Sequence, residues 1–553
     1  LQNTVALFRR EFALATVPRV AQGWIVADSR YRLHVNGRRV QWGPAASDPR
    51  EQEADPLDLA PYLRAGRNVL AIEVLFYGVG EGTWPAGSPG LLLRLDLDPG
   101  QQVVSDGSWR CCVDRAWMPG RYKRWYLRAF QEMVDSRLHP IGWLEPGFDD
   151  QRWSAALELP GPADRPSLLA GARDYLGDAF ALPKPTGEAA VTPHLLRRSI
   201  PLLDEEVLVD ARAVEAGTVR WLRHPDDWFE FRLVDSLEAV RGTLPAADAD
   251  GWMVPATVAD EGRFLTCALA VETLGWPRVE VDAPAGAIIE LITQESYDPA
   301  HGPAWLETSW HCWSRLICRG GKQTFEAFDY ESCRWIQLHI RSPDGPVRIR
   351  RVGLRRRRFP WPQVPLLRSA EPELDRLFAA AINTLHNSAH DLVVDGSARE
   401  RQQYSGDCGH QLVTIRHLFG ERQLPARFLR TYSAGMTAEG FFLDCWPAYD
   451  RLNRLAQRQL GLSQWGPILD HGLGFVLDHH RHWLETGDLV TPRLNGVKYF
   501  EKPPLFYWLQ AGSIKFFGLD EWALRLWPAL FGVFGALAVY GAGRALFGIS
   551  ILI

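Results

Sequence analysis

Several patterns on which common protein classes depend are absent from this chain of 553 residues. It has no Cys-x-x-Cys pair, so the sequence indicates neither a zinc site nor a thioredoxin-type redox site. It has no glycine-rich phosphate loop and no Ser-His-Asp pattern. Its formal net charge of -5 provides no basic field for nucleic acid. The sequence therefore predicts no cofactor, no metal site and no nucleic-acid partner.

No secretory signal is visible at the start of the chain, which opens at Leu1 in strand-like sequence, and we expect this start to be clipped. The eight cysteines are scattered, and the adjacent Cys111 and Cys112 are poor partners for one another. We therefore interpret the cysteines as mostly reduced and buried. This interpretation favours a cytoplasmic location for the main part of the chain.

The composition is that of an ordinary globular protein, apart from a large amount of tryptophan. Hydrophobic residues make up 46% and charged residues 23% of a chain that is long enough for several domains. The 23 tryptophans have two interpretations, because their flat apolar faces bind sugar rings and also fill the cores of β-sandwiches. Core packing is the commoner role for any single tryptophan.

Residues 1–200 are predicted to form β-structure. Residues 31–40 alternate around an Asn-Gly turn, which is typical of a hairpin, and residues 66–75 and 89–97 alternate as further strands. Short strands at such spacing predict a β-sandwich or jelly roll. The region resembles the jelly-roll, carbohydrate-binding-like modules that accompany glycosidases. Four segments carry this resemblance: 33–37, 63–70, 105–109 and 147–153.

A second β-sandwich domain is predicted over residues 201–360. Strand patterns recur at three segments: 279–282, 288–292 and 335–340. The aromatic-rich residues 305–313 are a candidate shelf for a sugar. The four arginines at 355–358 are interpreted as a solvated strand edge.

The pattern becomes helical after residue 360. Apolar residues recur at helical spacing over 374–385 with Ser369 as a candidate cap, over 412–419 up to Gly420, and over 473–483 up to about Gly487. Asp478–His482 resembles a metal-binding run, but neighbours in sequence do not share a helix face, so we interpret it as a solvated helix.

The tail from residue 488 changes character again. Residues 526–543 are uncharged and strongly apolar between Arg525 and Arg544, a length just sufficient to span a bilayer. A buried soluble helix is the alternative. Residues 503–514 are shorter and suit an interfacial or partial span. The tail therefore predicts membrane contact through residues 503–553.

The segment 395–407 carries the clearest chemistry. It contains the carboxylates Asp395, Glu400 and Asp407 together with Arg399 and Tyr404. A sugar-cleaving site needs a protonated acid for the leaving oxygen, carboxylates that hold hydroxyls, and an aromatic face. The alternative interpretation is a loop that caps a helix, with Asp407 as the N-cap of the helix that follows.

This segment resembles the signature of bacterial α-L-rhamnosidases, glycoside hydrolase family 78. Five residues match it one by one: Asp395, Arg399, Glu400, Gly406 and Asp407. The resemblance covers about residues 5–487 and implies β-domains followed by an (α/α)6 six-hairpin barrel. It implies Glu400 as general acid, and Asp395 and Asp407 as ligands of the rhamnose hydroxyls. The family inverts, so a distant second carboxylate would activate water.

Two features depart from the family. Gly396, Ser397 and Tyr404 stand where Cys, Pro and Trp are usual, and Arg399 and Tyr404 remain candidates for substrate binding. The helical region 361–487 is shorter than a complete barrel, and no candidate base follows at the expected distance. We interpret Asp444 and Asp470 as substrate contacts or plain surface. A truncated barrel without its base predicts little or no activity.

The tail resembles a second family, the polyprenyl-phosphate sugar transferases of the aminoarabinose and mannosyl transferase type. Residues 499–504, Tyr-Phe-Glu-Lys-Pro-Pro, carry the match, and residues 488–553 would be a fragment of such an enzyme. The resemblance implies that Glu501 helps to hold a metal and that Lys502 holds the lipid phosphate. The first span and the catalytic Asp-Glu of that family are absent. The chain therefore looks like a chimera joined near residues 487–490.

Three functions follow, in this order. The first is an inverting, α-L-rhamnosidase-like glycosidase that removes terminal rhamnose or a related sugar from an oligosaccharide or glycoside. The second is a non-catalytic carbohydrate-binding protein whose β-domains bind the sugar. The third is a membrane glycosyltransferase, which the missing Asp-Glu pair places last.

Overall fold

The computed structural model of the chain describes residues 3–48, 51–78, 89–118, 131–159, 194–222, 237–258, 260–304, 306, 313–398, 400–433, 445–447 and 469–487, with short stretches between 493 and 537. The chain divides into two compact units, Leu1–Val490 and Thr491–Ile553. Among the described residues the first unit is mostly β-structure, and its α-helices lie towards its end.

The first thirteen strands are β1 (Thr4–Leu14), β2 (Ala21–Asp28), β3 (Arg30–Val35), β4 (Arg38–Gly43), β5 (Glu51–Asp58), β6 (Gly66–Phe76), β7 (Gly90–Leu97), β8 (Gln101–Val104), β9 (Arg110–Val113), β10 (Trp117–Met118), β11 (Met133–Asp135), β12 (Ser154–Ala155) and β13 (His194–Arg197). Eleven of them form two sheets, in the orders β12-β9-β1-β6-β3-β4 and β13-β5-β2-β7-β8. Leu33 and Ile72 of one sheet and Leu93 and Leu95 of the other are buried in one shared core. This packing is a β-sandwich.

The predicted hairpin at 31–40 is confirmed. β3 pairs antiparallel with β4, and the turn holds Asn36 at φ 50° and Gly37 at φ 81°. Two successive residues with positive φ suit the right-handed twist of the flanking strands, which is why Asn-Gly is favoured there. The predicted strands at 66–75 and 89–97 are confirmed as β6 and β7.

The second β-region is one sheet of thirteen strands. Its later strands are β14 (Asp204–Asp210), β15 (Arg212–Trp221), β16 (Leu237–Gly242), β17 (Ala247–Asp248), β18 (Gly251–Val254), β19 (Glu261–Ala283), β20 (Ile288–Gln294), β21 (Trp313–Ile317), β22 (Gly321–Glu326), β23 (Glu331–Arg341) and β24 (Val347–Arg358). The sheet order is β10-β11-β21-β20-β23-β19-β24-β18-β17, with β14, β15, β16 and β22 branching from it.

The long strand β19 joins two parts of this sheet. Its first part pairs with β15 and its last part with β22 and β24. Leu265 and Val281, from the two parts, are buried in the same core. The strands predicted at 279–282, 288–292 and 335–340 are confirmed as parts of β19, β20 and β23.

The interpretation of Arg355–Arg358 as a solvated strand edge is wrong. These residues lie on β24, between β14 and β19. Arg357 is 1% exposed, and its guanidinium lies 2.6 Å from Asp391 and 4.3 Å from the ring centroid of Tyr330. Arg355 donates to Glu326 at 3.1 Å. Arg357 is internal because an acidic partner and aromatic rings compensate its desolvation, and the other three arginines are half-buried.

Four helices follow in the described part of this region: α1 (Pro372–Ser388), α2 (Ser405–Phe419), α3 (Gln423–Ser433) and α4 (Leu469–Thr486). Ile382, Leu412, Phe428 and Phe475, one from each helix, are buried in a common core. The predicted ends are confirmed, because Gly420 and Gly487 both adopt φ 70°. The described helices do not complete a six-hairpin barrel, so that architecture stays a prediction.

The structure corrects both predicted N-caps. The N-cap of α1 is Glu371, while the Ser369 hydroxyl accepts from the Glu371 N–H at 3.1 Å outside the helix. The N-cap of α2 is Tyr404, and Asp407 lies within the first turn. A proline at the first position explains the start of α1, since its missing N–H needs no partner there.

The interpretation of Asp478–His482 as a solvated helix is also wrong, since Asp478 and His482 are buried. In the second unit the strands β25 (Arg493–Leu494) and β26 (Val497–Lys498) pair with each other. Glu501, Lys502, residues 307–312 and much of 526–543 lie outside the described residues. Among the residues that are described, no helix has both the length and the apolar character needed to cross a membrane.

Candidate active site

The acidic segment begins as a tight loop between α1 and α2. The Asp395 N–H donates to the Gln402 carbonyl at 3.0 Å, and the Gln402 N–H donates to Asp395 Oδ1 at 2.8 Å. Within the loop that these two hydrogen bonds close, the Arg401 N–H donates to the Gly396 carbonyl at 3.0 Å. Arg401 has φ 53°, a left-handed conformation that few non-glycine residues adopt. The loop is therefore held in one shape by its own backbone.

Arg401 fixes this loop to the large sheet. Its side chain is buried, and Nη1 donates to Asp329 Oδ2 at 3.1 Å while Nη2 pairs with Glu331. The guanidinium carbon lies 4.7 Å from the ring centroid of Tyr330. Its Nε donates to the Ser397 carbonyl at 2.6 Å. A planar guanidinium suits this role because it presents several donors in fixed directions.

The next two residues fix the entry into α2. Gln403 Nε2 donates to the Trp446 carbonyl at 2.7 Å and to Thr431 Oγ1 at 3.0 Å. Tyr404 forms a backbone bridge with Cys445 and is 6% exposed. Trp446 Nε1 in turn donates to Asp48 Oδ2 of the first sandwich at 2.9 Å. The first sandwich, the large sheet and the helices therefore all contribute to the support of the segment 395–407.

The three carboxylates of the loop interact. Burial first, and then the negative charges of Glu400 and Asp407, raise the pKa of Asp395 to about 7, against the opposing effect of backbone hydrogen bonds from Gln402 and Gly396. Asp395 and Glu400 are half-buried, and Asp407 is exposed in the first turn of α2. Arg399 lies outside the described residues. The structure thus brings together Asp395, Glu400 and Asp407, and holds a proton on Asp395 up to about neutral pH.

Asp478 on α4 is a fourth carboxylate beside this group, although the sequence indicated only a solvated helix there. Burial raises its pKa to about 7. A Cβ added to Gly409 would lie 2.2 Å from Asp478 Oδ2, so the glycine permits the close approach. Burial and the charges of Asp395, Asp407 and Asp478 together raise the pKa of Cys408. A single glycine inside a helical pattern is a weak sequence signal for such a contact.

The arrangement is suited to acid–base chemistry on a polar, hydroxylated ligand. A carboxyl group that keeps its proton near neutral pH can donate to an oxygen, and neighbouring carboxylates can accept from hydroxyls. In the described part of the chain no cluster of three or more histidine, cysteine or acidic residues could hold a metal ion.

Comparison with known proteins agrees with both resemblances. Residues 18–170 match the family described as the α-L-rhamnosidase N-terminal domain, and residues 501–551 match that described as dolichyl-phosphate-mannose-protein mannosyltransferase. A curated α-L-rhamnosidase of Streptomyces avermitilis is 29% identical over 143 residues, which is 23% of this chain and 13% of that protein. An uncharacterized protein of Aquifex aeolicus is 36% identical over 74 residues, 13% of this chain and 15% of that protein.

Solved structures show the same fold. A family 78 rhamnosidase of Bacillus sp. GL1 superposes with a TM-score of 0.68 at 19% identity, covering 88% of this chain and 66% of that one. The α-L-rhamnosidase of Streptomyces avermitilis complexed with L-rhamnose superposes with a TM-score of 0.54 at 18% identity, covering 88% of this chain and 42% of that one. The chain is thus related to the family 78 α-L-rhamnosidases and spans less than two thirds of these relatives.

Proposed function

We propose that residues 1–487 are the front part of an inverting glycoside hydrolase of the α-L-rhamnosidase type. Its ligand would be a terminal L-rhamnose, or a related sugar, on an oligosaccharide or glycoside. The observation that carries the proposal is the grouping of Asp395 and Glu400 on the loop with Asp407 in the first turn of α2, within a fold shared with rhamnosidases. Carboxylates so grouped serve to bind hydroxyls and to protonate a leaving oxygen.

Each residue takes a separate role in the proposal. Glu400 acts as the general acid on the glycosidic oxygen, and Asp395 and Asp407 hold sugar hydroxyls. Arg399 and Tyr404 complete the substrate site, Tyr404 from a buried position beneath it. The raised pKa of Asp395 suits a carboxyl that donates to a hydroxyl oxygen rather than one that only accepts.

Turnover requires a catalytic base in addition to the residues that bind the sugar. Inversion requires a second carboxylate that activates a water molecule across the sugar ring. Asp444 and the side chain of Asp470 lie outside the described residues, and Asp478 packs between helices α2 and α4. We therefore leave the base unassigned and expect sugar binding with turnover well below that of complete relatives.

The tail supports a second, separate proposal. Its match over residues 501–551 favours a fragment of a membrane sugar transferase, in which Glu501 would help to hold a metal and Lys502 a lipid phosphate. In this proposal the tail contacts a membrane and the rest of the chain lies in the cytoplasm.

The test of the glycosidase proposal uses the full chain. Calorimetric titration should detect L-rhamnose binding, and an aryl α-L-rhamnoside should be cleaved slowly or not at all. Asp407→Asn should weaken the binding, whereas Asp344→Asn, at an exposed carboxylate on a distant turn, should not. Absence of L-rhamnose binding would refute the proposal. Binding retained by residues 1–360 alone, with no turnover, would favour a non-catalytic carbohydrate-binding protein.

A further inference from the structure

A glutamine of α2 contacts the backbone of both segments that carry the outer carboxylates of the site. Gln411 is half-buried and lies one helical turn after Asp407. Its side-chain Nε2 donates to the carbonyl of Val394, the residue directly before Asp395, at 3.1 Å. The same nitrogen lies 3.4 Å from the Asp407 carbonyl. One amide group therefore joins the start of the acidic loop to the first turn of α2.

The Val394 carbonyl depends on this amide. Val394 is fully buried, and within the described residues its carbonyl accepts a hydrogen bond from Gln411 alone. A buried carbonyl without a donor is unfavourable, so the contact has a definite partner and direction. Cys408 Sγ donates to the neighbouring Val393 carbonyl at 3.3 Å, but a thiol is a weak donor. Gln411 is thus the stronger polar link between α2 and residues 393–394.

The amide contributes little to stability for a group in this position. Gln411 Oε1 is buried, and no donor to it occurs among the residues that the structure describes. An unsatisfied buried acceptor offsets much of what one hydrogen bond contributes to folding. The side chain therefore fixes the direction of a contact more than it stabilises the fold. A residue that sets the geometry of a site has this combination of properties.

The other supports of the site fix different relationships. Arg401 ties the acidic loop to the large sheet, and Gln403 ties the loop to α3 through Thr431. The helix α2 leaves the loop directly after Tyr404, and its apolar face packs into a core whose contacts are not directional. The bond from Gln411 is directional and lies a turn further along the helix. It is therefore a second point of attachment that limits how α2 pivots against the loop.

We propose that Gln411 is a positioning residue of the candidate active site, which sets the separation between Asp395 and Asp407. It acts through the Val394 carbonyl and the first turn of α2, without contact to the sugar. A ligand that is held by both carboxyl groups must match their separation, so Gln411 takes part in the choice among hydroxylated ligands. Only this last step rests on the proposed function, because the interaction of the two carboxyl groups can be measured without a ligand.

The first measurement is the affinity of the full chain for L-rhamnose, by calorimetric titration. Gln411→Met keeps the length of the side chain and removes its amide, and it should weaken binding about fivefold, the usual loss for one hydrogen bond. Thr414→Val is the matched control. It removes the bond from Thr414 Oγ1 to the His410 carbonyl at 3.2 Å, which lies within α2 itself, and should leave the affinity unchanged.

The second measurement needs no ligand. Burial and the charges of Glu400 and Asp407 raise the pKa of Asp395, so the midpoint of urea unfolding should fall as pH rises from 5 to 7. In Gln411→Met the pKa of Asp395 should lie closer to its ordinary value, because Asp407 no longer stands at a fixed separation. The fall in the midpoint should therefore be smaller than in the wild-type chain or in Thr414→Val. In an Asp395→Asn background, Gln411→Met should change the pH dependence no further.

An unchanged pH dependence in Gln411→Met would overturn the proposal, even if the midpoint were lower at every pH, because a purely structural role predicts a uniform loss. A wild-type chain that binds no L-rhamnose would count against the proposed function, and the pH dependence would then decide the role of Gln411 by itself. Gln411→Asn, whose amide is one methylene shorter and does not reach Val394, is the second variant if Gln411→Met does not fold. It should show the same weaker pH dependence.

Discussion

Arg401 Nη1 donates to Asp329 Oδ2 at 3.1 Å, joining residues that are 72 positions apart in the sequence. The contact ties the acidic loop to the large sheet at the residue directly after Glu400. Tyr330 lies between two guanidinium groups, 4.7 Å from that of Arg401 and 4.3 Å from that of Arg357. The sheet therefore sets where Glu400 stands, although Glu400 belongs to the helical part of the chain.

Replacement of this anchor should destabilise the chain strongly. Arg401→Gln would leave Asp329 and Glu331 buried without their cation, and breaking a buried ion pair from one side costs about 3–5 kcal/mol. We expect a loss of this size in the apparent free energy of unfolding, measured by urea denaturation and circular dichroism. Arg376→Gln is the control, because its ion pair with Glu373 is exposed and should be worth less than about 1 kcal/mol. Equal losses in the two variants would contradict the anchoring role.

Stability should depend on pH through Asp395. Burial first, and then Glu400 and Asp407, raise its pKa from 3.8 to about 7, so the folded chain holds a proton that the unfolded chain has released between these values. Stability therefore falls as pH rises through this window, at up to about 1.4 kcal/mol per pH unit. Asp395→Asn should flatten the fall between pH 5 and pH 7 in urea titrations. Asp344→Asn, at an exposed position, should leave it unchanged.

The pKa of Asp478 is raised in the same direction as that of Asp395, since burial raises it to about 7. Its contribution should remain in the Asp395→Asn variant and disappear when Asp478→Asn is added. A pH dependence that is the same in the wild-type chain and in the double variant would contradict both assignments. The two carboxyls would then be ionised across the whole window.

Helix packing beside the site should depend on Gly409. In Gly409→Ala the new Cβ would lie 2.2 Å from Asp478 Oδ2, and such overpacking costs about 1–3 kcal/mol. Adding Asp478→Ala should recover much of the loss, because it removes the clashing atoms. Gly474→Ala, in α4 with no atom within 4 Å of its Cβ, should instead stabilise by about 0.5–1 kcal/mol. Thermal unfolding of these variants measures the difference, and equal effects at both glycines would refute the contact.

Local patterns predicted local structure well. The Asn36-Gly37 turn, the alternating strands and the glycines that close α2 and α4 all depend on backbone preferences within a few residues, and each is confirmed. The same patterns could not show that β19 serves both halves of one sheet, because pairing over long sequence separations leaves no short-range signal.

The charge pattern of the sequence predicted burial less reliably than the local patterns predicted secondary structure. Four consecutive arginines predicted exposure to solvent, yet Arg357 is buried. Its partners are Asp391, Trp42 and Tyr330, which come from three distant segments of the sequence. The carboxylates of the segment 395–407 indicate a site, whereas nothing in the sequence indicates that Arg401 anchors it. The sequence alone does not distinguish an arginine that is exposed to solvent from one that is buried and paired with Asp329.

The roles of Glu400 and Asp407 should separate in one pair of variants. Glu400→Gln keeps the size and hydrogen-bonding capacity of the side chain but removes its proton-donating group, so L-rhamnose binding should change less than about threefold, well under 1.4 kcal/mol. Cleavage of an aryl α-L-rhamnoside, measured with long incubations, should fall. A good leaving group needs less acid assistance, so the loss should be larger for an alkyl rhamnoside.

Asp407→Asn should show the opposite pattern. Loss of one charged acceptor for a sugar hydroxyl costs about 1.5–3 kcal/mol, so binding should weaken by about tenfold or more while residual cleavage at saturating substrate persists. Unfolding curves for both variants would show that the fold is intact, since Asp407 is exposed and Glu400 only half-buried. If Glu400→Gln abolished binding and left cleavage unchanged, Glu400 would be a sugar ligand. The protonated Asp395 would then become the candidate acid, since its pKa of about 7 keeps the proton available at neutral pH.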